Sequence, residues 1–413
     1  MSYACTIDDV RVAERILAGQ VQKTPMLPAP RLSAATGAEI FVKYENMQAT
    51  GSFKERGALS KLSQLTPEER ARGVIALSAG NHAQGVAYHA RRLGIPATIV
   101  MPETTPLVKV ENTRAYGATV VLAGETLHEC QATLDTIIAA QRLVMVHPYD
   151  DSTVMAGQGT IALEMLADAP DLDMLVIPIG GGGLCAGNAV AAKALRPDIR
   201  IIGVEAALYP AFVNAIRHTN LPVGGPTLAE GIAVKSIGQQ TLPIVRDLVE
   251  DIILVDEAAI ERGVSAYATL AHTMAEGAGA AGLAAVLAEP ARFKGLRIGL
   301  ILCGGNIDAR LLAAIMVRSL EREQRIVSFR IMLPDRPGLL GMIASRLGTL
   351  GANILEVSHG RLYLDMPAKG VALDLTIETR GGAHAQQILE ALAADGLDPT
   401  MIARRGITKA AEA

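Results

Sequence analysis

Lys54 lies in Ala49–Ala58, ATGSFKERGA, between a Ser-Phe pair and a Glu-Arg pair. A lysine amine does covalent chemistry when it forms a Schiff base with a carbonyl cofactor, which requires a partly desolvated pocket and a depressed pKa. The small polar residues before it and Gly57 after it suit a helix start packed close to a ligand, with Phe53 as a wall. A lysine beside a glutamate is ordinarily a surface ion pair, so Lys54 alone decides nothing. Gly180, Gly181, Gly182 and Gly183 form the second candidate. They follow the apolar run MLVIPI and precede LCAGNAVAAKAL, so bare N–H groups and a helix N-terminus converge where a phosphate fits. Gly181, Gly183 and Ala186 also satisfy G-x-G-x-x-A, and Glu205 ends the next strand about twenty residues on, the pattern of a dinucleotide site. The loop specifies a phosphate and leaves its owner open. A turn chosen for packing alone is disfavoured, because four consecutive glycines lose much entropy on ordering.

The elements that must position these residues alternate. Short β-rich runs (GVIALSA, ATIVM, ATVVLAG, LVMVHPY) are interleaved with helical patterns such as NHAQGVAYHARRLG and ETLHECQATLDTIIAAQ. That alternation implies βαβ units and parallel sheets buried on both faces. It resumes with DMLVIPIG, RIIGVEA, DIILVDE and LRIGLILCGG, which predicts a second α/β layer. Between Tyr209 and Val245 the pattern breaks, and Gly224-Gly225-Pro226 marks a loop. After the charged stretch RSLEREQR the texture changes, which places a boundary near Glu323. The tail then reads strand, helix, strand, strand, helix, strand, an α+β unit of about 90 residues able to fold alone.

Composition narrows the classes. At 413 residues the chain is too long for one ordinary core. A net charge of -4 provides no basic field for nucleic acid. The start, MSYACTIDDV, carries two aspartates and lacks the pattern of a secretory leader, so a cytoplasmic protein is expected. The uncharged run 174–192 imitates a membrane span, but Pro178, Asn188 and the glycine run make it read as strand, turn and helix, and no membrane partner is expected. Cys5, Cys130, Cys185 and Cys303 have no metal or disulfide spacing.

Seven motifs then occur in order: VKYENMQATGSFKERGA (42–58), SAGNHAQG (78–85), GQGTIALE (157–164), GGGGL (180–184), AEGIAV (229–234), EGAGA (276–280) and CGGNID (303–308). In that series the chain resembles the threonine and serine dehydratases of the fold-type II pyridoxal-phosphate enzymes, over roughly residues 5 to 320. The resemblance implies a two-domain α/β fold like that of the tryptophan synthase β chain, with open parallel sheets. Residues 1–40 and 150–322 are expected to form the large cofactor-binding domain and 41–149 the small one. It implies that Lys54 holds pyridoxal phosphate as a Schiff base, Phe53 lines the ring, Asn81 bonds the ring oxygen, and Gly180 to Leu184 hold the phosphate. It implies further that Ser78, Asn81 and His82 bracket the substrate carboxylate, and that Cys303 faces the pyridine nitrogen.

On those assignments the amine of Lys54, once displaced by an amino acid, is placed to take its Cα proton, after which a Cβ hydroxyl can leave. Threonine then gives 2-oxobutanoate and ammonia; serine gives pyruvate. A neutral thiol at Cys303 protonates a ring nitrogen poorly, so elimination is favoured over transamination. Its bland reading is a small buried hydrophobe. Ala79 stands where similar serine racemases carry a serine, and a methyl transfers no proton. Ala211 stands where their divalent-metal pattern has an acid, so no such metal is expected, and a monovalent cation is left open. His89, Tyr116 and Tyr209 receive no role.

The tail carries DRPGLLG (335–341) and GANI (351–354), which resemble an ACT domain over residues 325–413. Gly338, Leu339, Asn353 and Ile354 are its candidate effector contacts, and a sensor of isoleucine or valine would suit a biosynthetic threonine dehydratase. The bland reading is a dimerisation module without a ligand. A homodimer or homotetramer is expected. The expected activity is therefore threonine ammonia-lyase, with serine or 3-hydroxyaspartate as alternative substrates. A nicotinamide-dependent dehydrogenase with an ACT tail would use Glu205 but leaves Lys54, Asn81 and Cys303 unexplained. A non-catalytic amino-acid sensor is disfavoured by the intact lysine and phosphate loop.

Overall fold

The β-branched runs become short strands and the alanine-rich runs become helices, in two compact units, Met1–Asp308 and Ala309–Ala413. The structure is a computed structural model that describes residues 3–360 and 370–402.

The first unit holds two sheets. One has six strands in the order Met26–Pro28, Glu39–Lys43, Arg297–Ile301, Met174–Pro178, Arg200–Ala206 and Asp251–Val255. Only Met26–Pro28 runs antiparallel to its neighbour. Every residue of Met174–Pro178 is buried, as expected for a central parallel strand with both faces covered. Two of its helices, Gly183–Leu195 and Gly277–Ala288, are made largely of Ala and Gly and are buried almost all round. The other sheet has four parallel strands, Thr119–Leu122, Ala97–Met101, Val74–Leu77 and Val144–Met145. Ligands of open parallel sheets bind beyond the carboxyl ends of the strands. Lys54 follows Glu39–Lys43, Asn81 follows Val74–Leu77, Gly180 follows Met174–Pro178 and Cys303 follows Arg297–Ile301, so all four lie at such ends.

Glu39–Lys43 belongs whole to the six-stranded sheet, so the expected cut at residue 41 falls inside a strand. The four-stranded sheet is drawn from 74–145. The units divide after Asp308 and not near Glu323, because the helix Ala309–Arg322 packs on the strand that follows it. That second unit is an antiparallel sheet ordered Asn353–Gly360, Gly370–Glu378, Ile326–Pro334 and Pro399–Met401, with helices Leu339–Thr349 and Gly382–Ala394. Val327, Phe329, Ile331 and Leu333 alternate into its core, the period-two pattern of a half-buried strand. The fold is the expected βαββαβ, ferredoxin-like order. Among the described residues no helix is long and apolar enough to cross a membrane.

Candidate active site

The turn Thr50–Phe53 delivers Lys54. Gly51 adopts φ 74°, and a Cβ there would run into the Asn306 side chain, so only glycine closes the turn. Ser52 forms an antiparallel bridge with Gly304, and the Phe53 amide donates to the Cys303 carbonyl at 3.0 Å. These links stitch the turn to the strand end that carries Cys303. Lys54 opens the helix Lys54–Ser63, and its Nζ donates to the Pro148 carbonyl at 2.7 Å, a carbonyl partner in place of the carboxylate of a surface ion pair. Burial lowers its pKa to about 8, against the opposing pull of Cys303 and Glu276.

Two residues further on, at Arg56, a buried ionic network anchors that helix. Arg56 donates to both oxygens of Glu45 (2.8 and 2.7 Å) and both of Glu164 (2.7 and 2.9 Å), and Lys43 Nζ reaches Glu164 at 2.5 Å. Arg56, Glu45 and Lys43 are wholly buried. Removing one partner would leave an uncompensated charge, at about 3–5 kcal/mol.

The glycine run forms the second wall. Gly182, at φ 94°, is the N-cap of Gly183–Leu195 and offers no side chain. A Cβ at Gly181 would meet the Tyr149 ring, and one at Gly182 would meet Phe212 and Thr241, so the protein fills the side-chain directions and leaves the backbone bare. Among the described residues none accepts a hydrogen bond from the amides of Gly181 to Leu184. These amides, at the positive end of a 13-residue helix, suit a phosphate.

Asn81 comes from the other sheet, after Val74–Leu77. It opens the helix Asn81–Arg92, its Nδ2 donates to Glu276 Oε1 at 2.7 Å, and its Oδ1 accepts from Asn306 Nδ2 at 2.8 Å. One Nδ2 hydrogen is then left for a ring oxygen. Burial pushes Glu276 up to about 7, against the Asn81 amide and Lys109. The His82 ring is buried, and burial with the Lys54 charge presses its pKa to about 3. Its Nε2 donates to the Val146 carbonyl at 2.8 Å, leaving Nδ1 unpartnered among the described residues. With that hydrogen committed to Val146, the ring offers no further N–H, which leaves the backbone amide of His82 as its donor toward a substrate carboxylate. Ser78 accepts from the Gly80 amide at 3.2 Å, and the helix start beside it has no side-chain cap. The Cys303 thiol is pushed well above the usual range by burial and by Glu276, with Lys54 opposing, so it stays protonated.

A family model described as pyridoxal-phosphate dependent enzyme matches residues 17–304. The chain belongs to that family. Its cofactor is pyridoxal phosphate, and the residues fit it: an amine of lowered pKa, four open amides at a helix N-terminus and a remaining amide hydrogen on Asn81. The L-threonine ammonia-lyase of Thermotoga maritima is 41% identical over 399 residues, covering 96% of this chain and 99% of that one. The solved T.th. threonine deaminase is 38% identical with a TM-score of 0.70, covering 73% of this chain and 99% of that one. Maize serine racemase is 34% identical with a TM-score of 0.72, covering 78% of this chain and all of that one.

The enzyme's dehydrogenase alternative falls on the same geometry. Glu205 is buried and accepts from the amides of Phe212 (2.8 Å) and Val213 (3.0 Å), so its oxygens are already committed within the fold. Sequence reasoning left Tyr149, Glu276, Asn306 and His89 without roles. Glu276 and Asn306 stood inside quoted motifs, whereas nothing local marks Tyr149 or His89. In the second unit, Gly338 and Leu339 line a cavity of about 460 Å³ with Leu333, Arg336, His359 and Leu373. Asn353 and Ile354 do not line it. They sit level with Glu378 and Ile377, at the sheet end opposite Pro334.

Proposed function

We propose that the protein is an L-threonine ammonia-lyase, converting threonine to 2-oxobutanoate and ammonia and serine to pyruvate. The observation that carries this reading is the span of the likeness, which covers nearly the whole of both chains, tail included. The bound cofactor supplies an electron sink that acidifies the Cα–H of an attached amino acid. Gly180 to Leu184 hold the phosphate through their amides, Phe53 packs on the ring, and Asn81 donates to the ring oxygen. Ser78 and the backbone amides of Asn81 and His82 at the uncapped helix start hold the substrate carboxylate. Lys54 Nζ removes the Cα proton from one face. Ala79 carries no acid for a second face, which supports elimination over racemisation. Cys303, held protonated, offers the ring nitrogen no carboxylate, which favours rapid loss of the Cβ hydroxyl.

The second unit is read as an ACT-type sensor for a branched-chain amino acid. The amides at the start of Leu339–Thr349 take the effector carboxylate. Asn353 and Ile354 lie too far along the sheet to join them within one chain, so a second copy supplies that half, in a dimer or tetramer. A cytoplasmic setting accords with four free, buried cysteines.

Oxo-acid release from threonine, serine and 3-hydroxyaspartate, each with and without isoleucine or valine, tests the reading. Threonine is expected to show the highest kcat/KM, reduced by an effector. Release from serine alone, or from 3-hydroxyaspartate alone, would contradict it.

A further inference from the structure

Asn81, Gly85 and His89 recur every fourth residue of the helix Asn81–Arg92 and so share one face. That face lies against the start of the lysine helix. The missing Cβ of Gly85 points at the Lys54 carbonyl carbon (3.2 Å) and the Glu55 amide (3.3 Å), so the two backbones meet at Lys54 itself. One turn later, His89 Nε2 lies 3.2 Å from Glu55 Oε2. Arg92 Nη1 can only donate, and it stands 3.3 Å from His89 Nδ1, so Nδ1 accepts and Nε2 carries the hydrogen toward Glu55. Arg92 is itself fixed on the Gln20 carbonyl (2.8 Å) and Gln20 Oε1 (3.0 Å).

The bonds close on themselves. Glu55 accepts from His89 with one oxygen and from the Thr50 amide with the other. The Thr50 carbonyl accepts from Asn306 Nδ2 at 2.8 Å, and the same Nδ2 donates to Asn81 Oδ1 at 2.8 Å. Asn81 leads back along its helix to His89. His89 and Glu55 are buried, so their bond is shielded from water, whereas the Asn306 side of the circuit is exposed.

We propose that His89 is a positioning residue for Lys54. Through Glu55 it holds the Thr50–Lys54 turn in register with Asn81, so that the amine and the amide address one cofactor ring. A misplacement of about 1 Å in such a pair lowers turnover by about a hundredfold without touching substrate affinity. The inference rests on Lys54 being the covalent anchor.

The test compares the native protein with H89L and H89Q, the glutamine keeping a donor near the place of Nε2. For each, the rate at which apoprotein forms its covalent linkage with added pyridoxal phosphate is followed by absorbance, alongside kcat and KM for threonine and the thermal midpoint. H89L is expected to lose about 10- to 100-fold in linkage rate and kcat with KM within about twofold, and H89Q to recover to within about fivefold of native. Native rates in H89L, or equal losses in H89L and H89Q, overturn the proposal. Should H89L fail to fold, E55Q, isosteric but able to keep only one of the two bonds, is expected to lose about tenfold; a native rate there overturns it equally. A native protein with no borohydride-fixed adduct at Lys54 refutes the anchor; a native adduct with unaffected variants refutes only the role of His89.

Discussion

Lys54 combines a half-buried amine with a neutral neighbour at Cys303 and a carbonyl at Pro148, and this sets its titration. The amine must be unprotonated to attack an aldehyde, so covalent capture of pyridoxal phosphate by the apoprotein should accelerate as pH rises, with a midpoint near 8. Stopped-flow absorbance between pH 6 and about 10 checks this; a midpoint at the ordinary lysine value would mean that the amine is solvated. Residue chemistry of this kind was legible in the sequence wherever type alone carries it, as with a lysine in a small-residue turn or four glycines in a row. His89 was not legible. Its partner Glu55 is 34 positions away on another helix, and only the crossing at Gly85 brings them together.

Elements place these groups because each lies just beyond the carboxyl end of a parallel strand, and the glycine turn is the strictest of them. Gly182→Ala would force an L-residue to φ 94° and push its methyl into Phe212 and Thr241. A stability loss of at least about 1–2 kcal/mol is expected from the backbone alone, with cofactor affinity lowered by roughly tenfold. Urea unfolding and equilibrium titration with pyridoxal phosphate measure the two; an unchanged affinity would remove the loop from the phosphate site. The alternation of β-rich and helical runs marked eight of the strands of the first unit and the element order of the second, whereas Met26–Pro28 and Glu39–Lys43 were not among the runs it picked out. The expected domain edges at 41 and 323 differ from the observed ones, because periodicity marks where an element lies and not which sheet or strand it packs against. Glu39–Lys43 looks the same in sequence whether it joins one sheet or the other.

For the whole molecule, buried acids govern the response to pH. Burial raises Glu205 from its ordinary 4.5 to about 7, despite the amides of Phe212 and Val213. The folded state then holds a proton that the unfolded state has released between those values, so stability is full below pH 4.5 and falls as pH rises through about 7, by about 3 kcal/mol for this group. Glu45, lowered by Arg56 despite its burial, acts oppositely and loses its contribution as pH falls below the ordinary value. His82, lowered to about 3, acts against Glu205 up to its ordinary 6.5, so the contribution of Glu205 is read by difference: between pH 5 and about 7.5 the urea midpoint of the native apoprotein should fall relative to that of a Glu205→Gln variant. The two units predict a separable tail. The T.th. threonine deaminase is covered to 99% by 73% of this chain, so a fragment ending at Asp308 should fold and retain turnover while losing any response to isoleucine or valine. Assays with and without these amino acids check it; a fragment that still responds would move the effector site into the catalytic unit.

The central claim is the covalent bond at one amine. Peptide mapping by mass spectrometry of borohydride-reduced holoprotein reads it directly: the pyridoxyl mass is expected on the peptide containing Lys54 and on no other. The same mass on Lys43, Lys61 or Lys109, or no adduct at all, would contradict the account.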